Sequence, residues 1–191
     1  MKINLYDFDG TIYDGDSTRD FFFYELRRHP LILITIPYTL ISAILYVLHI
    51  INKTKMKEHF YLFLKYIKDI DMEIDSFWDT HYHNIKNFYI IKDHKNDIII
   101  SASPEFLLMP LKDKLKVKDI IASRVNKYNG KTTGLNCHDY EKVNRLNEKY
   151  KNYHVINAYT DSYKSDYPIL ELADNKYLVK KNKIIKTDFN N

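Results

Sequence analysis

Apolar and polar positions divide this chain into three stretches. Ile3 to Tyr6 is a short apolar run that reads as a buried strand, carried on to Phe8. From Asp16 to about Lys92 the apolar residues recur at helical spacing, with no convincing strand. Asp16-Ser17-Thr18 offers N-cap residues, and Phe21, Phe22, Glu25 and Leu26 follow. Pro30 breaks that helix or starts the next. Lys53 to Ile67 predicts an amphipathic helix with Phe60, Phe63, Leu64 and Ile67 on one face. Ile74 to Asn87 predicts another, with Trp78 buried.

After residue 96 the pattern changes. Asp97 to Ser103 holds three consecutive isoleucines, which suits a central parallel strand. Pro104 opens a helix to about Leu115. Val117 to Val125 predicts a strand that leads into a hairpin at Asn129-Gly130. A helix follows over Asp139 to Tyr150, then a strand over His154 to Tyr159 and a helix over Ser165 to Ala173 with Pro168 in its first turn. Tyr177 to Val179 predicts a short strand, and Ile184-Ile185 adds another. Strands alternating with helices make a parallel sheet. The expected fold is α/β: a three-layer, Rossmann-like parallel sheet core with a helical cap inserted after the first strand. The core comprises 1–13 and 97–191, and the cap 14–96.

Composition narrows the setting. The 191 residues are 45% hydrophobic and include four Gly, enough for one domain with a true core and an insertion. The 29 basic and 25 acidic residues are interspersed, so no stripe for nucleic acid is expected. A single cysteine, Cys137, excludes an internal disulfide and suits a reducing cytosol; burial is its expected fate. Met1 and Lys2 lead straight into the first strand, so no signal peptide is expected and a cytoplasmic location is.

The expected strand ends carry the chemistry. Asp7 and Asp9 lie two apart, which on a strand points both the same way. At the carboxyl edge of a sheet, paired carboxylates call for a metal or a proton, so a Mg²⁺ site with a carboxylate nucleophile is the first reading. Ser101 ends the next strand beside a helix start, suited to a phosphate oxygen. Asp161 ends a later strand, with Asp166 one helical turn on, and Lys142 lies one turn into a helix. His81-Tyr82-His83 has metal-like spacing but no nearby Cys, and a structural or surface role is expected.

Taken together, this set resembles the haloacid dehalogenase-like phosphatases. Asp7-Phe8-Asp9-Gly10-Thr11 matches their first motif, Ser101 in Ser101-Ala102-Ser103-Pro104 the second, Lys142 the third, and Asp161-Ser162 with Asp166 the acidic fourth. Lys131 is the rival for the third motif; Lys142 is preferred because it opens a helix with Val143 and Leu146 packing behind it. The resemblance implies that Asp7 attacks phosphorus to form an aspartyl-phosphate and that Asp9 serves as acid and base. It implies Mg²⁺ held by Asp7, the backbone carbonyl of Asp9 and Asp161, with Asp166 anchoring a metal-bound water or Lys142. Ser101 and Lys142 would neutralise the phosphoryl group, with Thr11 and Ser162 in support.

The insertion bears on substrate. Leu31 to Ile51 contains no Asp, Glu, Lys or Arg, with Arg27 and Arg28 before it and Lys53, Lys55 and Lys57 after it. One membrane crossing is excluded by topology, because Asp7 precedes the segment and Ser101, Lys142 and Asp161 follow it. Pro37 offers a bend, so the segment is read as a shallow helical hairpin in one leaflet, with anionic lipid at its flanks. A buried cap helix or a homodimer interface is the alternative. Arg27-Arg28-His29-Pro30-Leu31 with its apolar sequel resembles the cap opening of C-type phosphatidylglycerophosphate phosphatases. A lipid phosphomonoester is therefore the first substrate expected, at the cytoplasmic face of a membrane. A soluble phosphoserine-like phosphatase and a catalytically silent binding protein on the same scaffold are the competing readings. Arg19 and Arg27 are candidate substrate readers, with a surface role expected for each.

Overall fold

The computed structural model describes residues 1–91 and 93–187. Strands β1 (Lys2–Tyr6), β2 (Asp97–Pro104), β3 (Asp119–Ser123), β4 (His154–Thr160), β5 (Ala173–Lys180) and β6 (Lys183–Thr187) form one sheet in the order β3-β2-β1-β4-β5-β6. The first five are parallel and β6 is antiparallel, because a tight turn at Lys181 folds it straight back onto β5. The sheet is thus mixed at one edge. The period-two alternation of β2 sorts its isoleucines. Ile98 and Ile100 pack with Leu146, Ile169 and Leu170 on one face, and Ile99 packs with Leu107, Leu108 and Tyr89 on the other. Helices therefore cover both faces, which makes the three layers.

Between β1 and β2 stand helices α1 (Ser17–Arg28), α2 (Ile36–Val47), α3 (Lys53–Phe60), α4 (Ile70–His81) and α5 (Asn87–Ile90), with 3₁₀ segments at Pro30–Thr35, Tyr61–Tyr66 and Tyr82–Asn84. After β2 come α6 (Glu105–Leu108), α7 (Leu111–Leu115), α8 (Tyr140–Lys149) and α9 (Tyr163–Glu171). Asp16 caps α1 by accepting from the Arg19 amide. Asn52 and Asp69 cap α3 and α4 in the same way.

Several expected elements have different bounds. The helix expected over Lys53 to Ile67 is α on its first eight residues and 3₁₀ thereafter. The aromatic cluster of Phe22, Phe60 and Phe63 holds that tighter turn in place. The helix expected over Ile74 to Asn87 begins four residues earlier, at the Asp69 cap, and ends at His81. The helix after Pro104 is two short helices, broken where Pro110 can donate no backbone hydrogen bond. In α9 the backbone leaves helical geometry at Asp166, two residues before Pro168. Strand β5 is longer than Tyr177 to Val179, since pairing on both edges recruits its polar half. The expected hairpin forms: Val125 bridges Thr132, and Gly130 takes a φ of +73°. A Cβ on Gly130 would lie 2.7 Å from the Tyr61 carbonyl carbon, so the hairpin seats on the helical segment.

Two rows of side chains cross the sheet on one face. In the register Asn4–Asn157–Asn175, the Asn157 amide donates to Asn4 Oδ1 at 2.8 Å and the Asn175 amide to Asn157 Oδ1 at 3.2 Å. Asn4 in turn donates to Asp97 Oδ1 at 2.7 Å, which extends the row to β2. Two residues on, Tyr6, Tyr159 and Tyr177 stack face to face at 4.2 and 4.6 Å. Trp78 is fully buried, as expected, and donates to the Leu107 carbonyl at 2.7 Å. Tyr159→Ala removes the middle ring of the stack and is expected to lower unfolding free energy by about 3 kcal/mol in urea titration.

Candidate active site

Strand β1 ends at Tyr6, and the Asp7 amide still donates to the Tyr159 carbonyl at 2.9 Å, so Asp7 sits at the sheet edge. There the chain turns. The Phe8 carbonyl accepts from the amides of Thr11, Ile12 and Tyr13 at 3.2, 2.8 and 2.9 Å. Gly10 enters this turn at φ +75°, and a Cβ there would lie 2.6 Å from Asp161 Cγ. Glycine is required both by the left-handed backbone and by this close approach. Lys86, at the far end of the helical insertion, donates its ammonium to the Gly10 carbonyl.

Asp7 and Asp9 do not converge as strand neighbours would, because the turn begins between them. Asp7 Oδ1 accepts from Lys142 Nζ at 2.7 Å and Oδ2 from Thr11 Oγ1 at 3.1 Å. The Asp9 carboxylate instead accepts from the Ser17 amide at 2.7 Å and from Ser103 Oγ at 2.5 Å. It thus lies at the N-terminus of α1, where backbone amides favour an anion. Thr11 also accepts from the Asp161 amide at 2.8 Å, linking the first acidic turn to the end of β4.

Lys142 is the hub. It is 2% exposed and donates to Asp7 and to Asp166 Oδ1 at 2.7 and 2.5 Å. Asp166 Oδ2 accepts from Thr160 Oγ1 at 2.6 Å. The break in α9 at Asp166 lets this carboxylate reach inward. Asp166 thus bonds Lys142, one of the two partners expected for it. Burial lowers the affinity of the Lys142 amine for its proton, but Asp7 and Asp166 more than offset this and hold it charged. Burial pushes the Asp7 carboxyl upward against the pull of Lys142. Burial also raises Asp9, reinforced by Asp16, and raises Asp161, reinforced by Asp166.

Asp7, Asp161 and Asp166 each bring a carboxylate oxygen within 4.8 Å of the others, a donor set that fits a hard divalent cation. The Asp9 side chain is not among them; the contribution expected of Asp9 is its backbone carbonyl. Ser101 is buried and its Oγ accepts from the Ser103 amide at 3.0 Å. Ser162 caps α9 and lines the cavity without touching Asp7. Lys131 is exposed on the hairpin and outside the cavity, which leaves Lys142 without its rival.

These groups line one cavity of about 680 Å³. Its opposite wall is built by Thr39 and Ala43 of α2 and by Met56 and Phe60 of α3. Arg19 stands on its rim with its side chain 62% exposed, whereas Arg27 is exposed elsewhere. His81 stacks on Phe77 at 4.2 Å, and among the described residues the His81–His83 pair joins no metal-type cluster. Cys137 is buried, as expected, and burial raises its thiol pKa to about 11.

Among the cavity residues that sequence reasoning missed are Ser103, Lys53, Lys57 and His138. Ser103 was signalled by its period-two spacing from Ser101. Lys53 and Lys57, spaced i,i+4 on α3, both enter the cavity instead of facing outward as a headgroup patch. Lys57 Nζ donates to the Ala102 carbonyl at 2.8 Å; burial, then Lys53, lowers its pKa to about 8. His138 also lines the cavity, and burial, then Lys53 and Lys142, lowers its pKa.

The profile of the haloacid dehalogenase-like hydrolases matches residues 5–171, which includes all the acids above. The chain belongs to the haloacid dehalogenase-like hydrolases. No curated protein matches it significantly. Among solved structures, a Bordetella pertussis protein of unknown function superposes with a TM-score of 0.67 at 15% identity, over 92% of this chain and 88% of that one. A phosphoserine phosphohydrolase-like protein from Francisella tularensis gives 0.56 at 17% identity, over 92% and 86%. A HAD family hydrolase from Salmonella enterica serovar Typhi gives 0.59 at 15%, over 90% and 60%. At these identities the likeness is one of fold.

Within this hydrolase, Lys142→Met leaves Asp7 and Asp166 buried as facing acids with no cation. A loss of about 3 kcal/mol or more at pH 7 is expected in denaturant titration. Burial then raises the Asp7 carboxyl with Lys142 no longer opposing it, so the deficit shrinks as pH falls and Asp7 protonates.

Proposed function

We propose that this protein is a Mg²⁺-dependent phosphomonoester hydrolase working through an aspartyl-phosphate on Asp7. The observation that carries the reading is the position of Asp7: on the cavity wall, oriented by Thr11 and Lys142, with Asp9 held apart on Ser17 and Ser103. Asp7 provides the nucleophile and keeps its orientation through Thr11. Asp9, its carboxyl raised by burial, gives a proton to the leaving oxygen and later takes one from water. A haloacid dehalogenase has no need of that second acid. Lys142, Ser101 and Lys57 place positive charge or a hydroxyl on the cavity wall for the phosphoryl oxygens. Asp7 and Asp161, with the Asp9 carbonyl, would hold Mg²⁺, which when bound offsets the charge of the phosphoryl group.

For substrate, the first choice is a lipid phosphomonoester such as phosphatidylglycerophosphate. The window Pro30–Val47 has a mean hydropathy of 2.0 and only 17% of it is buried. Leu33, Ile34, Leu40, Ile41, Ile44, Val47 and Leu48 all lie open to solvent. Helix α2 spans 12 residues, about 18 Å at 1.5 Å per residue, well short of a bilayer's hydrocarbon core. The reversal comes at Leu48–Asn52, where His49 adopts φ +58°, and not at Pro37, which sits in the first turn of α2. Helix α2 would then lie in one leaflet while α3 returns to the site, and Thr39 and Ala43 join its exposed apolar surface to the cavity. Of the basic flanks, Arg27, Arg28 and Lys55 are exposed to solvent, with Arg28 paired to Glu73 and Lys55 to Glu58.

The deciding experiment compares phosphate release from phosphatidylglycerophosphate in vesicles, from phosphoserine and from an aryl phosphate. Mg²⁺-dependent turnover is expected, abolished by chelation and by Asp7→Asn, with the vesicle substrate preferred. Ile44→Asp should depress vesicle turnover about tenfold and leave the aryl phosphate unchanged. Equal turnover of soluble esters would favour the small-metabolite reading, with α2 as a dimer surface. Phosphate release unaltered in Asp7→Asn would refute the mechanism.

Lys57 supplies a pH dependence. Its charged form attracts the phosphate dianion, and its pKa is lowered to about 8. KM for any phosphomonoester is therefore expected to rise as pH increases through about 8. In Lys57→Arg, whose charge persists, that rise should vanish.

A further inference from the structure

A second polar cluster lies outside the catalytic cavity, where α1 hands the chain to the apolar segment. Glu25, in the last turn of α1, has no exposed surface, and neither of its carboxylate oxygens has a hydrogen-bond partner among the described residues. A buried carboxylate in that state is costly unless something else compensates it. One turn on, His29 places Nε2 3.5 Å from Glu25 Oε2 and 3.5 Å from Glu73 Oε1, and this nitrogen also makes no hydrogen bond.

Those separations are too long for hydrogen bonds. They suit two ligands of one ion: with bonds of about 2.0 Å, the edge of a tetrahedral site is about 3.3 Å. The three donor atoms all lie within 4.8 Å of one another. Helical i,i+4 spacing brings Glu25 and His29 onto one face, and Glu73 comes from the first turn of α4. Arg28 holds the Glu73 carboxylate through Nε at 2.7 Å and a terminal nitrogen at 3.1 Å. That fixes its orientation, as outer hydrogen bonds do for metal-bound carboxylates, and leaves lone pairs on Oε1. Two carboxylates against one guanidinium leave a negative excess. An imidazole with two carboxylates is a donor set for zinc and its neighbours rather than for Mg²⁺ or Ca²⁺.

We propose that Glu25, His29 and Glu73 form a divalent transition-metal site of the zinc type that pins the end of α1 to α4. Burial, then Glu73, raises the Glu25 carboxyl to about 8 against the pull of Arg28. An incoming ion would displace that proton. The His29 side chain is 27% exposed although its Nε2 is buried, so an ion would enter past the edge of the imidazole. The role is mechanical: the site fixes the root of the apolar segment that begins at Pro30. It is independent of the reaction proposed above and stands whichever ester is hydrolysed.

The test uses the full chain, stripped of metal and supplied with excess Mg²⁺ to occupy the catalytic acids. Titration with Zn²⁺ alone, by calorimetry in buffers of different ionisation enthalpy, should show one tight site per chain with proton release and a raised Tm. Co²⁺ in place of Zn²⁺ should give a visible absorption band of low-coordinate geometry. Glu25→Gln, nearly isosteric and free of the buried charge, should fold and lose the zinc binding, the proton release and the band. His29→Gln should do the same, and Asp161→Asn should keep all three. Zinc binding equal in wild type and Glu25→Gln, binding lost only in Asp161→Asn, or no tight zinc in the wild type would each overturn the proposal. In the last case, Glu25 is simply a neutral carboxylic acid beside His29.

Discussion

Lys142 is a buried cation between two buried carboxylates, and the local geometry of the active site follows from that. A lone ammonium in this position would cost several kcal/mol in desolvation. Asp7 and Asp166 offset the cost because each is fixed by a second donor, Thr11 for one and Thr160 for the other. Those threonines come from the turn after β1 and the end of β4, strands that are neighbours in the sheet. The ammonium therefore bonds together three segments distant in sequence: the first turn, the start of α8 and the distorted first turn of α9. The same ammonium lines the cavity, so the group that ties these segments together also faces the site.

That arrangement requires β1 and β4 to be in the correct register. A slip of one residue would turn Asp7 away from the edge and present its neighbours instead. The asparagine row and the tyrosine stack oppose such a slip, because it would part the paired amides and the stacked rings. Both rows occupy matching rungs of three parallel strands, directly beneath the edge that carries Asp7.

The sequence made the core legible because its signals are local and chemically distinctive. Three isoleucines in a row announce a two-sided strand, and Asp-x-Asp-Gly-Thr announces an acidic turn. Strand–helix alternation in the sequence is enough to bring Ser101, Lys142, Asp161 and Asp166 to one edge, since it places strand ends together. Asp7 and Asp9 take different partners because the strand stops at Tyr6, and two-residue periodicity lapses with it. The helical segment was read in outline only. Its boundaries depend on the Asp69 cap, on ring packing around Phe63 and on the reversal at His49, none of which a hydropathy pattern carries. Lys53 and Lys57 were placed outward with their neighbours, although their spacing already put them on one helix face. The grouping of Glu25 and His29 with Glu73 joins residues nearly 50 positions apart, and no local pattern could have suggested it.

The ends of the helical segment have an architectural consequence. Tyr13 bridges Ile85, the Asp14 amide bonds the Asn84 carbonyl at 2.8 Å, and the Lys86 amide bonds the Ile12 carbonyl at 2.8 Å. The segment thus leaves the core and re-enters it at a single zipped neck. For the sheet, everything between is one long excursion whose closure entropy grows only with the logarithm of its length, about 0.6 kcal/mol per doubling. Closing the sheet therefore depends little on how long the excursion is, although the segment packs back on the core through Trp78 on the Leu107 carbonyl, Lys57 on the Ala102 carbonyl and Tyr61 against Gly130.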